Sequence, residues 1–573
     1  MSKKRPTTNP TTTPTLKTSP APAPEASLPA ASETATALQP APEPRPSIAP
    51  AKASWSERLG RFALAKQWWL FGLIMLLAAV LRFGRLGERS LWYDESFSLT
   101  LAGRDLTTIL SGTASDYHPP LSYLLLGGWL RLFGDSVYAG RALSALAGVG
   151  FVAVLYGLAR EMFGSRTALL AALFAAVAPF QILYSQEVRM YSLQALLGTW
   201  LVWAFYRALK YNGWPDWVHF GLVALLTLYN IYFSIFDLLA LELFFVGMGL
   251  YWWRTRREWV RQRLAGWVLA NVGVGLLYLP WAFSLLQQAK QVHKSYWIAQ
   301  ASPLEALRLT DVFLLNATNL TTEPIFAQLG VLLGALFTLF ILYSLRFRLK
   351  TGEKGRRRRS FEISLLLVYW LGTVAIVFAV SYLYAPLYLE RSLLGVSAPC
   401  YILLARVIQT ARRPGRWFWL LLPALVVLFG SLNSYYFSRE YTTHYENEAA
   451  LTELKSLYKP GDIVLHSSKL SYLPFAYLKA PGPQYLAPEE PGNVHDDLSA
   501  TTLKAINMSY TPVEQALAQV PPGGRVWFVR DNPQPGQSEQ YLDAMQKQLA
   551  GRYKVADSWQ YWGLTLYLYT PAG

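Results

Sequence analysis

The sequence predicts an all-α polytopic membrane protein that ends in a small α/β domain. Of its 573 residues, 53% are hydrophobic and only 15% are charged, whereas a soluble domain has about 25% charged residues. Apolar runs recur along most of the chain, and each is close to the roughly 20 residues that cross a bilayer as a helix. These runs lack the alternating pattern of a membrane barrel, so helices are the spanning elements.

The positive charge is distributed as in a membrane protein. A net charge of +16 could indicate nucleic-acid binding, but the cations cluster in short segments between apolar runs, at 254–263 and 350–359. Such segments are typical of cytoplasmic loops and contact anionic lipids, so we expect no nucleic-acid partner. The single cysteine, Cys400, lies in a predicted span, which excludes an intrachain disulfide and a cysteine-rich metal site.

Composition divides the chain into three regions. Residues 1–53 are rich in Pro, Ala and Thr and predict a disordered cytoplasmic tail, because they cannot bury enough apolar surface to fold. Residues 54–433 contain the apolar runs. Residues 434–573 alternate helix and strand patterns and predict an extracytoplasmic α/β domain.

The basic segments also predict the topology. Basic residues before the first span favour a cytoplasmic N-terminus. The segment 119–134 is apolar but only about 16 residues long, and it contains Arg131. If it lies along the outer interface as a juxtamembrane helix, the later basic loops remain cytoplasmic. About eleven spans then follow, at 67–83, 137–159, 167–184, 191–209, 217–234, 235–253, 264–283, 325–345, 361–380, 391–408 and 416–433.

This topology brings several groups of polar residues to the outer face. Ionisable groups at the ends of spans are costly unless they are paired or functional. Carboxylates can supply a general base, and arginines bind phosphate through charge-assisted hydrogen bonds. The pattern therefore favours transfer chemistry on a charged amphiphile at the membrane surface. The candidates are Asp94, Glu95, Asp116, His118, Glu187, Arg189, Tyr191, Glu390 and Arg391.

Four motifs of the first half carry a family resemblance. "WYDESFS", "DYHPPLSYLLLGGWLRLFG", "AGRALSALAGVGFVAVLYGLAREMFG" and "SQEVRMYSL" resemble the polyprenyl-phosphate-sugar-dependent glycosyltransferases of the GT-C fold. They look like the bacterial members of the protein O-mannosyltransferase and aminoarabinose transferase superfamily. The resemblance covers roughly 60–435 and is strongest over 84–210. The later "ERSLLGVSAP" resembles another family motif, with Ser392 in place of the usual aromatic residue.

The resemblance implies an activity and a role for each candidate. An Asp of the first outer loop is the family's general base and corresponds to Asp94, while Glu95 shares that role or orients the acceptor. A sugar on a polyprenyl phosphate would move, with inversion, to a lipid, glycan or protein hydroxyl. Arg189 and Arg391 would bind the phosphate, and His118 and Tyr191 would line the sugar pocket. Asp116, Glu187 and Glu390 complete the expected substrate-binding set.

The resemblance also bears on cofactors and location. An acid pair with a phosphate could bind a divalent cation, but similar superfamily members are metal-independent, so we expect no essential cofactor. The N-terminal tail, rich in Pro, Ala and Thr, resembles tails of bacterial proteins, which favours a prokaryotic plasma membrane.

Each candidate also has a purely structural interpretation. Asp94 could cap the helix that follows it. His118 and Asp116 could be turn residues. Arg189 and Arg391 could anchor lipid headgroups or pair with Glu187 and Glu390.

The sequence also permits other functions. A flippase of polyprenyl-linked glycans would need polar groups near the middle of the membrane, usually in related halves of the chain. Asp237 and Glu242, within a predicted span, keep this alternative open. Two further alternatives are a non-catalytic scaffold and an enzyme that transfers whole oligosaccharides.

Overall fold

The computed structural model describes residues 66–294, 298, 300–315, 338–339, 354–409, 445–490, 498–533 and 537–572. All of these residues belong to one compact unit that begins at Trp55. The predicted tail 1–53 and the predicted span 416–433 lie outside the described residues, as does the predicted span 325–345 apart from residues 338 and 339.

The described membrane portion is helical. Its helices are α1 (Gln67–Phe83), α2 (Tyr93–Ala102), α3 (Leu106–Ala114), α4 (Leu121–Phe133), α5 (Val137–Phe163), α6 (Ser165–Val177), α7 (Pro179–Ser185), α8 (Tyr191–Tyr211), α9 (Trp214–Asn230), α10 (Ser234–Trp252), α11 (Arg257–Lys294), α12 (Pro303–Leu315), α13 (Lys354–Leu367), a π-helix (Val368–Gly372), α14 (Thr373–Leu383), a 3₁₀-helix (Glu390–Val396) and α15 (Ala398–Gln409).

Four described segments are long and apolar enough to cross a membrane: Val137–Phe163, Ser234–Trp252, Arg257–Ala289 and Ser360–Leu383. Two further pairs are bent, α6 with α7 by 59° and the 3₁₀-helix with α15 by 60°. Counting each pair as one span gives up to six among the described residues. Helix α8 covers the predicted span 191–209, and α9 covers residues 217–230 of the predicted span 217–234. Neither helix is among these segments. A helical membrane protein is thus supported, and the count of about eleven spans stays a prediction.

The ambiguous segment 119–134 forms the short helix α4. Its 13 residues correspond to about 20 Å, which is less than the roughly 30 Å of a hydrocarbon core. The Trp129 indole donates to the Ala139 carbonyl of α5 at 2.8 Å, and Arg131 donates to the Arg104 carbonyl at 2.8 Å. Helix α4 therefore packs beside α2 and α3, the helices of the first outer loop (the first-loop helices). It is too short to cross the hydrocarbon core of a membrane alone.

A close backbone approach fixes the position of the 3₁₀-helix. A Cβ atom on Gly198 of α8 would lie 2.6 Å from the Gly395 carbonyl oxygen, so both positions need the absence of a side chain. The Tyr369 hydroxyl donates to the Gly198 carbonyl at 2.9 Å and to the Gly395 carbonyl at 3.3 Å. This contact holds the segment that carries Arg391 against α8.

The C-terminal portion contains a five-stranded sheet in the order β2-β1-β3-β5-β4. Strand β1 pairs in parallel with β2 and β3, and β5 pairs antiparallel with β3 and β4. Its elements are α16 (Asn447–Leu457), β1 (Ile463–His466), α17 (Lys469–Tyr477), β2 (Gln484–Leu486), α18 (Ala500–Ala505), α19 (Val513–Leu517), β3 (Val526–Asp531), α20 (Glu539–Ala550), β4 (Tyr553–Tyr561) and β5 (Leu564–Pro571).

Both faces of the sheet are covered near its centre. Ile463 and Phe528 belong to one apolar cluster, whereas Val464 and Trp527 belong to the cluster on the other face. Neighbouring residues of a strand point to opposite faces, so a strand covered on both sides is apolar throughout. Every residue of β1 is buried accordingly.

The C-terminal portion packs directly on the first-loop helices. Phe97 and Ile109 of that loop share one buried cluster with Leu473 and Ile506. Polar contacts reinforce the packing, because Arg104 donates to the Ala505 carbonyl at 2.8 Å. The sheet portion and the loop that carries Asp94 therefore form one packed layer.

Candidate active site

A cavity of about 640 Å³ lies where the first-loop helices, the membrane helices and the C-terminal portion meet. This volume falls within the usual range for small-molecule sites, roughly 300–1,000 Å³. Its lining combines charged and aromatic side chains with apolar ones. The apolar side chains include Ile231, Phe233, Ile235, Phe236, Leu285, Ala289, Val380, Leu387 and Leu389.

Asp94 faces this cavity from the first turn of α2. The N-cap position is occupied by Trp92, whose side chain makes no capping hydrogen bond, so the capping interpretation of Asp94 is wrong. An acid in the first helical turn is favoured by the helix dipole. The Asp94 side chain is 24% exposed, and its Oδ2 lies 3.5 Å from Nη2 of Arg189. The carboxylate is thus accessible and only loosely paired.

Arg189 connects several groups of the cavity wall. Its guanidinium donates to the Asp94 carbonyl at 3.4 Å, to Ser98 Oγ at 3.3 Å and to His118 Nε2 at 3.2 Å. The alternative pairing of Arg189 with Glu187 is wrong, because Glu187 pairs with Arg89 at 3.3 Å. Arg189 therefore faces the cavity rather than its sequence neighbour.

His118 is a neutral acceptor in this arrangement. A guanidinium can only donate hydrogen bonds, so the His118 Nε2 that it contacts accepts, and the ring proton lies on Nδ1. Burial, followed by the charges of Arg189 and Arg391, lowers the pKa of His118 well below its usual range. The ring consequently stays neutral at physiological pH and cannot act as a cation there.

Tyr191 lies within reach of two arginines. The guanidinium carbon of Arg189 lies 5.9 Å from the centre of the Tyr191 ring, and that of Arg391 lies 5.6 Å from it. Both distances allow cation–π attraction, which offsets part of the repulsion between the two guanidiniums. Arg391 comes from the first turn of the 3₁₀-helix. Two cations thus line one wall of the cavity, an arrangement suited to a phosphate.

Glu95 does not reach the cavity, although it follows Asp94 directly. It is 1% exposed and accepts two hydrogen bonds from Arg141, at 2.9 Å and 2.7 Å. It also accepts one from the Val188 N–H at 2.9 Å. Because Val188 precedes Arg189, this carboxylate fixes both segments that carry the cavity's charged pair. Its geometry is that of a positioning residue, which differs from the expected share in proton transfer.

The structure brings together six of the nine predicted residues. Asp94, Asp116, His118, Arg189, Tyr191 and Arg391 line the cavity. Glu187 is buried beside Arg89, and neither it nor Glu390 lines the wall. Their expected contact with substrate stays a prediction.

Several residues of the wall were missed by sequence reasoning. They include Tyr93, Tyr232, Gln288, Tyr384, Tyr445 and Lys469. The Gln288 amide of α11 donates to the Thr113 and Ala114 carbonyls at 3.0 Å and 2.9 Å, which ties α11 to the end of α3. No local motif marks Gln288. Lys469 had a weak signal, since it follows a buried strand and two serines.

The cavity offers few ligands for a metal. Asp94 and Asp116 line it, and Asp94 faces Arg189. Among the residues that the structure describes, no group of three or more His, Cys, Asp or Glu side chains has a metal-binding arrangement. A transferase without an essential metal stays a prediction.

The fold and the cavity define a helical membrane protein with a charged site beside its spans. Residues 117–281 match the model of a family described as dolichyl-phosphate-mannose-protein mannosyltransferase. This match confirms the resemblance predicted from the sequence. No curated protein matches the sequence at a significant level.

Solved structures show the same fold at low sequence identity. ArnT from Cupriavidus metallidurans in its apo state has a TM-score of 0.59 and 13% identity, over 88% of this chain and 98% of that one. The same protein bound to undecaprenyl phosphate gives 0.51 and 12%, with the same coverage. The archaeal oligosaccharyltransferase AglB from Archaeoglobus fulgidus, in complex with an inhibitory peptide and a dolichol-phosphate, gives 0.50 and 14%, over 83% of this chain and 70% of that one.

Proposed function

We propose that this protein is a membrane glycosyltransferase that moves a sugar from a polyprenyl-phosphate carrier to an acceptor hydroxyl, with inversion. One observation carries the proposal. The cavity places an accessible, loosely paired carboxylate, Asp94, beside two cations, Arg189 and Arg391. The family match and the fold similarity point to the same class of enzyme.

The apolar and the cationic residues of the cavity lining fit the two parts of such a donor, its lipid and its phosphate. The apolar residues suit the first isoprene units of a carrier lipid, because burial of apolar surface is favourable. Arg189 and Arg391, both close to Tyr191, suit the phosphate. The related structures contain undecaprenyl phosphate in one case and a dolichol-phosphate in the other, which supports a lipid-phosphate donor here.

Asp94 is the general base of the proposed reaction. The acceptor oxygen attacks the anomeric carbon as the bond between that carbon and the phosphate oxygen breaks. Asp94 takes the proton of the acceptor hydroxyl late in this step, when its acidity has risen. The polyprenyl phosphate leaves with the negative charge, which Arg189 and Arg391 stabilise. A single displacement inverts the configuration at the anomeric carbon.

The same geometry supports an outer-face location for the site. The C-terminal portion packs on the first-loop helices, so both lie on one side of the membrane. Helix α4 is too short to cross it alone, which favours the topology with a cytoplasmic N-terminus and an extracytoplasmic C-terminal domain over 434–573. In this proposal 54–433 is the membrane catalytic domain of a prokaryotic plasma-membrane protein.

The two acids that kept the flippase alternative open have structural surroundings. A Cβ atom on Gly395 would lie 2.7 Å from Oδ2 of Asp237, so Asp237 packs behind the 3₁₀-helix. Glu242 accepts a hydrogen bond from the Trp267 indole. Neither Asp237 nor Glu242 lines the cavity. The transferase is therefore the better-supported function.

The test is a transfer assay with full-length protein in lipid nanodiscs. Radiolabelled polyprenyl-phosphate sugars and an envelope extract are the substrates, and label in a water-stable acceptor is measured. Wild type is compared with Asp94→Asn, and Asp135→Asn is the matched control, because Asp135 is an exposed acid of the same loop. We expect transfer by wild type and the control but not by Asp94→Asn.

Two results would contradict the proposal. Equal transfer by Asp94→Asn and wild type would remove Asp94 from the mechanism. Movement of the lipid-linked sugar between leaflets, without transfer by any variant, would favour the flippase.

A further inference from the structure

Within the described part of the chain, four buried side-chain oxygen atoms near the cavity have no hydrogen-bond partner. They are Oε1 of Gln194, Oδ1 of Asn230, Oγ of Ser234 and Oδ2 of Asp237. Each of these residues is at most 1% exposed. A buried polar atom without a partner is costly, and such atoms are rare in native proteins. Four of them on neighbouring elements are the pattern of a binding site.

Asp237 and Gln194 meet at Gly395 of the 3₁₀-helix. A Cβ atom on Gly395 would lie 2.7 Å from Asp237 Oδ2 and 3.5 Å from Gln194 Nε2. The Gln194 amide also donates to the Ser392 carbonyl at 2.6 Å, and Ser392 lines the cavity. The carboxylate of α10 and the amide of α8 therefore lie together behind the segment that carries Arg391.

Asn230 and Ser234 adjoin these two side chains. The Asn230 amide and the Gln194 backbone N–H donate to the same Met190 carbonyl, at 3.3 Å and 2.9 Å, so Asn230 reaches the turn of α8 that contains Gln194. Ser234 lies three residues before Asp237 on α10, and residues at this spacing share one face of a helix. The four side chains thus form one group, here called the oxygen cluster, at the break between α9 and α10.

The chemistry of the oxygen cluster matches a small cation. Both amides donate through their nitrogen to a backbone carbonyl, so the oxygen is the remaining end of each. Amide and carboxylate oxygens only accept hydrogen bonds, and hard cations prefer such oxygens as ligands. Asp237 lies within the apolar segment Ser234–Trp252, where a charge is costly unless it is paired. Asn230 ends α9, and the C-terminus of a helix also favours a cation.

We propose that the oxygen cluster binds a monovalent metal cation, with Asp237 as its charged ligand. One carboxylate neutralises one positive charge, whereas a divalent ion would leave a net charge within the span. The ion joins α8 to α10 directly behind the 3₁₀-helix, so it stabilises the segment that positions Arg391. The site lies outside the cavity, and ion binding there does not depend on the proposed transfer reaction.

The test measures ion binding and stability without any substrate. Full-length protein in nanodiscs is prepared in choline chloride, and the binding of radioactive Na⁺ is measured by scintillation proximity. Thermal unfolding is followed in choline chloride and in sodium chloride at the same concentration, so that charge screening is equal. Asp237→Asn and Ser234→Ala are compared with wild type. Glu242→Gln is the matched control, because Glu242 is an acid of the same helix that accepts from the Trp267 indole.

We expect wild type to bind Na⁺ saturably and to melt at a higher temperature in sodium chloride than in choline chloride, because a ligand of the folded state stabilises it. Asp237→Asn should bind Na⁺ about 10-fold more weakly or worse, because the site loses its only charge, and should melt alike in both salts. In choline chloride it should be at least as stable as wild type, since no unpaired charge is left buried. Ser234→Ala should weaken binding by a smaller factor, and Glu242→Gln should bind like wild type.

Four results would overturn the proposal. No saturable binding of Na⁺ by folded wild type would assign the oxygen cluster to water. Equal Na⁺ binding by wild type and Asp237→Asn would place the ion elsewhere. Displacement of bound Na⁺ by far lower concentrations of Ca²⁺ or Mg²⁺ would assign the site to a divalent ion. If Asp237→Asn does not fold, Ser234→Ala decides, and unchanged Na⁺ affinity in that variant would count against the site.

Discussion

The cavity wall and the layer behind it contain the same kind of acid–arginine pair in opposite surroundings. In the wall, Asp94 and Arg189 approach to 3.5 Å, and the acid is 24% exposed. Behind it, Glu95 and Arg141 are both 1% exposed and approach to 2.7 Å. The two acids are adjacent in sequence, yet one faces the cavity and the other faces the protein.

The two pairs differ in their expected roles, because one can take part in the reaction and the other stabilises the protein around it. A partly exposed, loosely paired carboxylate can exchange its partner when a substrate enters. A buried pair with an additional N–H donor cannot do so without loss of stability, because removing one partner leaves an uncompensated charge. The Glu95 pair also binds the backbone beside Arg189. The Glu95–Arg141 pair, here called the rear pair, therefore holds the Asp94–Arg189 pair, the front pair, in position.

The largest expected effect comes from breaking the rear pair. Arg141→Met leaves Glu95 buried without its partner, a change that typically costs about 3–5 kcal/mol. We expect a strong fall in the apparent melting temperature of the purified protein, measured by thermal unfolding in nanodiscs.

A double variant is the control for that prediction. Removing both charges, in Arg141→Met with Glu95→Gln, should cost less than Arg141→Met alone, because no charge is left buried and unpaired. A double variant less stable than the single one would contradict the account of the rear pair.

Moving the front carboxylate should affect rate rather than stability. Asp94→Glu keeps the charge but extends the side chain by one methylene, and a displacement of about 1 Å can cost about 10²-fold in rate. We expect such a loss in single-turnover transfer with an unchanged melting temperature. Full activity would mean that the carboxylate tolerates a displacement of about 1 Å, which would contradict the close positioning that we assign to Asp94.

Arg391 should contribute to donor binding. Arg391→Met removes charged hydrogen bonds to the phosphate, each worth roughly 1.5–3 kcal/mol, so we expect about a 10- to 100-fold weaker affinity for a polyprenyl monophosphate. Arg131→Met is the control, because Arg131 is exposed on α4. Equal affinities in Arg391→Met and the control would place the phosphate elsewhere.

His118 should have the smallest effect, and it should appear in the pH dependence of stability. The pKa of His118 is lowered in the folded protein, so the unfolded chain takes up a proton first as pH falls below about 6.5. Stability is therefore lost as pH falls through that value. His118→Gln should reduce this loss in thermal unfolding. The transfer rate should show no dependence on pH near 6.5 that differs between wild type and His118→Gln. A change of rate near pH 6.5 in wild type that disappears in His118→Gln would show that His118 titrates during catalysis.

The sequence predicted the groups that local motifs mark. Asp94, His118 and Arg189 lie in short patterns that resemble a family, and the structure brings all three to one cavity. The apolar runs likewise predicted helices, because a span has a length and composition that the bilayer fixes.

Sequence could not separate the two neighbouring acids or find the long-range contacts. Consecutive residues of a helix point about 100° apart, so Asp94 and Glu95 must face different surroundings, but the surroundings come from residues far along the chain. Arg141 and Val188 decide the position of Glu95. Lys469 reaches the cavity only because the C-terminal portion packs on α2, which no local pattern shows.

The most direct test compares two isosteric amides, Asp94→Asn and Glu95→Gln, in the same nanodisc preparation. Transfer per folded molecule and apparent melting temperature are both measured. We expect Asp94→Asn to melt like wild type and to transfer no sugar, whereas Glu95→Gln should melt at a lower temperature and transfer sugar in its folded fraction. A stable but inactive Glu95→Gln, or an unstable Asp94→Asn, would contradict the division between catalytic and supporting pairs.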